Sequence, residues 1–275
     1  MAKPPLVLQT TTLWDYPSQH YGDSIQGDPD YAGATPSFVI WNLLSRYTHK
    51  GETVVDPMAG SGTTLDVAKD LERKALGFDI APFRKDIARA DARKIPLPGA
   101  SADFVFIDPP YSTHITYSDE PACIGRLDAG SRDYSRAMEQ VIREIDRILK
   151  PGRYMALYVS DSFKKGRPFA PIGMELFGLL RKKFTPVDIV CVVRRNAKLK
   201  RNHWHTAAIE GNYFLRGFNY LFIMKKRPAG KKFAINDRRD KTEIEQQILA
   251  RTPAKTPGKK PASPKGRSKK SRAGK

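Results

Sequence analysis

Short apolar runs alternate with longer amphipathic stretches along this chain from about Thr35 to Met224. Six runs have the length and the β-branched and aromatic content of buried strands: Thr53–Val55, Ala75–Phe78, Phe104–Ile107, Tyr154–Val159, Ile189–Val193 and Tyr220–Met224. Helical spacing is found over Phe38–Tyr47, Thr63–Leu71, Tyr134–Leu149 and Met174–Phe184. In the third of these, Met138, Val141, Ile142, Ile145, Ile148 and Leu149 recur at three and four residues. Lys150-Pro151-Gly152 then closes it, because proline cannot continue a helix and glycine permits the turn. Strands alternating with helices of this length predict an α/β fold: a mostly parallel sheet with helices on both faces. Ligands of such sheets bind beyond the carboxyl ends of the strands.

Composition changes sharply after Met224. The chain runs on as KKRPAGKKFAINDRRDK, then a short helical stretch around Thr242–Leu249. From Arg251 to the end it holds only Pro, Gly, Ser, Thr, Ala and basic residues. Such a segment cannot bury enough apolar surface to fold, so 227–275 is expected to be a basic, largely disordered tail. Of the formal net charge of +19, ten positive charges lie in this last stretch, so the foldable part is basic in its own right. That is the balance of a surface that meets phosphates. With Cys123 and Cys191 as the two cysteines, neither a disulfide framework nor a zinc site is indicated. The start lacks the apolar core of a signal peptide, and no apolar run approaches membrane-spanning length, which predicts a reducing, cytoplasmic location.

Four elements carry candidate chemistry. In the first, the Thr53–Val55 strand runs into Asp56-Pro57-Met58-Ala59-Gly60-Ser61-Gly62-Thr63-Thr64 and opens a helix. Glycines here permit backbone angles forbidden to other residues and let a ligand lie against the main chain. The missing lysine excludes a phosphate-binding P-loop. The second is Asp79, followed by Ile80, at the end of the next strand and 23 residues after Asp56. An acid at this distance can hold ribose hydroxyls, or it can cap a helix starting near Pro82. The third is Asp91-Ala92 ahead of a proline-rich loop, where a carboxylate can accept from an adenine amine. The fourth is Asp108-Pro109-Pro110-Tyr111, delivered by the Phe104–Ile107 strand. Two prolines fix the backbone and remove two amide donors, leaving carbonyl acceptors. The Asp108 carboxylate and the Pro109 carbonyl can then hold both hydrogens of an amine, and Tyr111 offers a stacking face for a planar base.

Asp56–Thr64 resembles the DPFAGSGTT element, and Asp108–Tyr111 the DPPY element, of the DNA amino-methyltransferases that act on adenine N6 and cytosine N4. The resemblance covers roughly Leu13 to Lys226. It implies the Rossmann-like class I methyltransferase fold, a mostly parallel seven-stranded sheet with helices on both faces. It implies S-adenosylmethionine as cofactor, with Asp56 to Thr64 at its methionine part, Asp79 and Ile80 at the ribose, and Asp91 and Ala92 at the adenine. Asp108, Pro109, Pro110 and Tyr111 then hold the target base. Thr35-Pro36-Ser37-Phe38 looks like the family's further cofactor-contacting element, which adds Thr35, Pro36 and Phe38, although Ala34 stands where a polar residue is expected. Met58 replaces the common Phe, a soft substitution able to pack over the same group.

Double-stranded DNA is the implied partner, and two stretches are placed to read it. One is 112–133, with His114, Tyr117, Arg126 and Arg132; the other is 194–217. The second opens with five basic residues in eight, Arg194, Arg195, Lys198, Lys200 and Arg201, followed by His203 and Trp204. Neither is long, which predicts a short recognition sequence or help from a homodimer or accessory subunit. Residues 1–34 are set apart as an N-terminal extension. Adenine N6 is favoured over cytosine N4 because Asp, not Ser, heads the catalytic turn. The competing readings are an RNA guanine N2 methyltransferase and an inactive DNA-binding module.

Overall fold

The computed structural model describes residues 5–111, 115, 117–162, 168–195, 199 and 201–228. Its strands are β1 (Leu13–Trp14), β2 (Thr53–Asp56), β3 (Lys74–Asp79), β4 (Ile87–Arg89), β5 (Ala102–Ile107), β6 (Leu149–Val159), β7 (Phe184–Val193) and β8 (Phe218–Lys226). They form one sheet in the order β1-β7-β8-β6-β5-β2-β3-β4. All neighbours run parallel except β8, which is antiparallel to both β6 and β7. The expected seven strands are therefore present, and the two-residue β1 adds an eighth at one edge. The helices are α1 (Ser37–Tyr47), α2 (Thr63–Asp70), α3 (Arg132–Ile148), α4 (Ile172–Arg181) and α5 (Asn202–Glu210).

Alternation along the central strands divides the core into two layers. On β5, Val105 and Ile107 pack with α3 and α4, whereas Phe104 and Phe106 face α1 and α2. The α3 stripe is buried as its spacing predicts, with Tyr134 and Ala137 extending it towards the N-terminus. Ser131 caps this helix, its hydroxyl accepting from the Tyr134 amide at 3.2 Å. Leu149 does not end the helix. It turns extended and opens β6, pairing with Ala102, and Gly152 takes φ +78°.

Two features depart from the periodicity. Ile87–Arg89 pairs with β3 as a strand of three residues, too short to show alternation. No helix joins β3 to β4, so Asp79 has no helix to cap. Residues 5–34, set apart above as an extension, contribute buried Trp14 and Tyr16 to the α1 layer, and β1 to the sheet. The tail from 229 onward lies outside the described residues. Among the described residues, no helix is long and apolar enough to cross a membrane, and no His, Cys, Asp and Glu cluster suits a metal ion.

Candidate active site

The carboxyl ends of β2, β3, β5, β6 and β7 open into one cavity of about 1070 Å3. At its centre β2 ends on Asp56, which is buried. Its Oδ1 accepts from the Met58 amide at 3.0 Å and its Oδ2 from the Thr64 hydroxyl at 2.6 Å, so the turn closes around it. Burial pushes this carboxyl up to about 7, against both hydrogen bonds. Within the turn, Gly60 and Gly62 sit at φ +46° and +79°, backbone that a side chain would strain. Gly62 stands at the N-terminus of α2, and its carbonyl accepts from the Leu65 and Asp66 amides.

Asp79 closes the same turn from β3. Its Oδ2 accepts from the Gly60 amide and its Oδ1 from the Ala81 amide, both at 3.0 Å. Each carboxylate oxygen keeps a second lone pair for a hydroxyl. Burial raises its pKa in spite of these backbone bonds. Asp91 lies further along the wall with buried Ala92 beside it. Its Oδ1 accepts from the Arg93 amide and Nε at 2.9 Å, and its Oδ2 from Arg93 Nη2 at 2.5 Å. Burial acts to raise this carboxyl, and the Arg93 bonds outweigh it and hold it below the usual range.

At the other end, β5 presents Asp108, Pro109, Pro110 and Tyr111 to the cavity. The Thr35 hydroxyl donates to Asp108 Oδ2 at 2.5 Å. Burial pushes the Asp108 carboxyl up to about 7; the Thr35 bond and the Arg194 charge oppose this, and the Asp56 charge adds to it. The Tyr111 hydroxyl is raised by burial and by the Asp108 charge.

The cavity residues fit S-adenosylmethionine. A glycine turn with left-handed backbone, Asp79 with open lone pairs, and an apolar wall at Ile80 and Ala92 stand side by side. The Asp56 carboxylate, at the root of the turn, can offer negative charge to a sulfonium. The glycine turn, Asp79, Asp91, Thr35, Pro36, Phe38, Asp108 and Tyr111 all share this one cavity, and Gly62 faces away from it, against Arg84.

Nothing in the periodicity points to the segment before Thr35, yet it roofs the cavity. The Gly27 amide donates to Asp66 Oδ2 at 2.7 Å and the Asp28 amide to the Ser61 carbonyl at 2.8 Å. The Tyr31 ring lies over Gly60, where an added Cβ would meet Cζ at 2.8 Å, and packs edge-on against Phe83 at 5.5 Å. The glycines at 22, 27 and 33, all with positive φ, are the available signal for a folded strap here.

The basic stretch divides. Arg194 enters the cavity, its Nη1 donating to Ser160 Oγ at 3.4 Å. Arg195 pairs with Asp15, donating through Nε at 2.6 Å and through Nη2. Arg201 and His203 are exposed, and Trp204 lines the cavity with its ring 5.1 Å from that of His203. Lys198 and Lys200 lie outside the described residues, as does His114. Within the 194–217 stretch, 202–210 forms α5. Further cavity residues come from beyond it, Tyr213 to Arg216 and Asn219; Phe214 is 85% exposed, and Asn219 is a buried amide whose Oδ1 has no hydrogen-bond partner among the described residues.

A family model described as a DNA methylase, of the N6/N4 type, matches residues 5–90 and 102–271. A type II methyltransferase of Methanocaldococcus jannaschii, M.MjaII, is 31% identical over 70 residues, 26% of this chain and 13% of that protein, so the chain spans a small part of its length. Among solved structures, TrmN from Thermus thermophilus is 18% identical with a TM-score of 0.47, over 71% of this chain and 50% of that one. A second Thermus thermophilus protein, described as a DNA modification methylase, is 22% identical with a TM-score of 0.37, over 60% and 58%. With nearly the whole described length matched and both signature turns facing one cavity, the chain belongs to the N6/N4 DNA methylase family, whose methyl donor is S-adenosylmethionine.

Proposed function

We propose that this chain methylates the exocyclic amine of a base in double-stranded DNA, adenine N6 ahead of cytosine N4, with the base turned out of the duplex. The observation that carries the reading is that β5 delivers Asp108-Pro109-Pro110-Tyr111 into the cavity that also holds Asp56 and Asp79. When bound, S-adenosylmethionine supplies an electrophilic methyl group. The Asp56–Thr64 turn and Asp79 hold it, with Asp91 and Ala92 on the wall beyond. Asp108 Oδ1, left open by the Thr35 bond on Oδ2, accepts one amine hydrogen, and the Pro109 carbonyl accepts the other. That turns the amine lone pair towards the methyl group, so the catalysis is positioning and electrostatics, with no covalent adduct to the protein. A carboxyl poised near 7 also suits the proton that the amine releases.

Turning out a base costs a few kcal/mol, and stacking on an aromatic such as Tyr111 returns roughly 1–3 kcal/mol. Arg194 and Trp204 line the cavity that would receive the base, and exposed Arg201 and His203, beside Trp204 in the chain, would meet the DNA around it. Lys198 and Lys200 belong to the same basic stretch, and a homodimer or accessory subunit would extend the contact. Genomic DNA as substrate implies a cytoplasmic protein working at the nucleoid.

The direct test is Asp108→Ala. Methyl transfer to DNA should vanish while S-adenosylmethionine binding, measured by calorimetry, stays within about threefold, because the cofactor contacts lie mainly on β2 and β3. Normal turnover by this variant removes the assignment.

A further inference from the structure

The Thr35 hydroxyl is buried, and its one partner among the described residues is Asp108 Oδ2 at 2.5 Å, 73 residues away in the chain. A threonine just ahead of a helix ordinarily caps it through the hydroxyl. Here Pro36 holds the cap position of α1 and no side chain caps it, so the hydroxyl is free to point at Asp108. The distance is that of a hydroxyl donating to an ionised carboxylate, for which about 2.5–2.7 Å is usual.

We infer that Thr35 is a positioning residue for the methyl-transfer reaction: it locks the Asp108 carboxylate in one orientation and keeps it in the charged form that accepts from the target amine. This rests on the reading of Asp108 as the amine acceptor. It assigns Thr35 to the catalytic carboxylate, not to the cofactor alone. The bond occupies Oδ2 and so leaves Oδ1 as the oxygen for the amine.

The surroundings explain why such a lock is needed. Burial and the neighbouring Asp56 charge favour the neutral acid, and Arg194 from the end of β7 opposes them. The hydroxyls of Tyr31, Tyr111, Tyr134 and Tyr158, from the strap, the catalytic turn, α3 and β6, feel the Asp108 charge, and each is uncharged near neutrality. Thr35 is thus the hydroxyl committed to Asp108, and removing it shifts the balance towards the neutral acid.

The experiment compares wild type, Thr35→Val and Thr35→Ser in the full chain. Two readouts are followed against pH: kcat for methyl transfer to DNA at saturating cofactor, and the carboxyl carbon-13 resonance of Asp108, assigned by its loss in Asp108→Asn. Thr35→Val should move the acid limb of kcat and the Asp108 titration to higher pH together, by roughly one pH unit, with kcat falling about tenfold below the shifted limb and recovering above it. Thr35→Ser should restore both. An Asp108 titration unmoved by Thr35→Val overturns the inference. A titration moved to lower pH also overturns it, since the proton would then sit on Asp108 and be donated to Thr35. If wild type fails to methylate DNA but the Asp108 resonance shifts as expected, the substrate reading fails and the Thr35–Asp108 coupling stands.

Discussion

Asp79 Oδ2 accepts from the Gly60 amide at 3.0 Å, tying the end of β3 to the turn that leaves β2. Because no helix starts behind Asp79, the helix-capping alternative has no structure to serve. What remains is a carboxylate that shapes the glycine turn and keeps lone pairs open to the cavity. Replacing Asp79 with Ala should weaken S-adenosylmethionine binding by at least about tenfold in calorimetry, the worth of one lost charge-assisted pair of bonds. It should also cost roughly 1–3 kcal/mol of stability by leaving the Gly60 amide unpaired. An unchanged cofactor affinity contradicts the ribose role.

Asp56 makes the stability of the unliganded protein depend on pH. Its carboxyl is raised to about 7 from an ordinary value of 3.8, with burial as the main cause, so the folded state holds the proton more tightly than the unfolded chain. The stabilising contribution is therefore complete below about pH 4 and is lost as the pH rises through about 7. Asp56→Asn, which keeps the shape and removes the charge, should melt higher than wild type at about pH 8, with the difference shrinking as the pH falls to about 4. Thermal scans across this range check it; a constant difference between the two proteins goes against a buried titrating carboxyl. The same variant should bind the cationic cofactor less well, because the negative charge beside the sulfonium is gone.

Tyr111 carries a face and a hydroxyl whose roles separate by substitution. If the ring stacks on the target base, Tyr111→Phe should keep most activity while Tyr111→Ala raises KM for DNA by about 5- to 150-fold, the equivalent of roughly 1–3 kcal/mol. Steady-state kinetics on a defined duplex decides, and equal losses in the two variants would assign the role to the hydroxyl.

Arg195 and Arg201 are neighbours in a basic stretch but differ in their pairing. Asp15 takes both arms of the Arg195 fork, whereas Arg201 is exposed. Arg201→Ala should reduce the slope of log affinity against log salt by about one, the signature of a lost phosphate contact. Arg195→Ala should leave that slope nearly unchanged. Titrations of labelled duplex at several salt concentrations measure both, and a reversed order would mean that the Asp15 pair opens on DNA.

The parts legible in the sequence are those where a local rule and a global need coincide. Val105 and Ile107 look towards α3, and their run ends in two prolines, so the strand and the chemistry at its tip are both visible. Met138, Val141 and Ile145 show a helix because one buried face demands that spacing. Thr35 is visible as a residue near the cofactor but not as the partner of Asp108, since a contact across 73 residues leaves no periodic trace. Tyr31 escapes for the same reason, lying in a strap built on left-handed glycines and not on a repeat. Helix α5 escapes because Ala208 is its one buried residue, so no apolar stripe marks it. Asn219 leaves a faint sign: it occupies the position two before Leu221 and four before Ile223 on the buried face of β8, where alternation calls for an apolar side chain.

The central claim is that this cavity methylates an amine of a base in DNA. Tritium transfer from labelled S-adenosylmethionine to unmethylated genomic DNA and to tRNA, followed by chromatography of the nucleosides, tests it most directly. The account predicts label in N6-methyladenine from DNA, lost in Asp108→Ala; label in N4-methylcytosine would change the base and keep the chemistry. Label in tRNA alone, or label in DNA that survives Asp108→Ala, would contradict it.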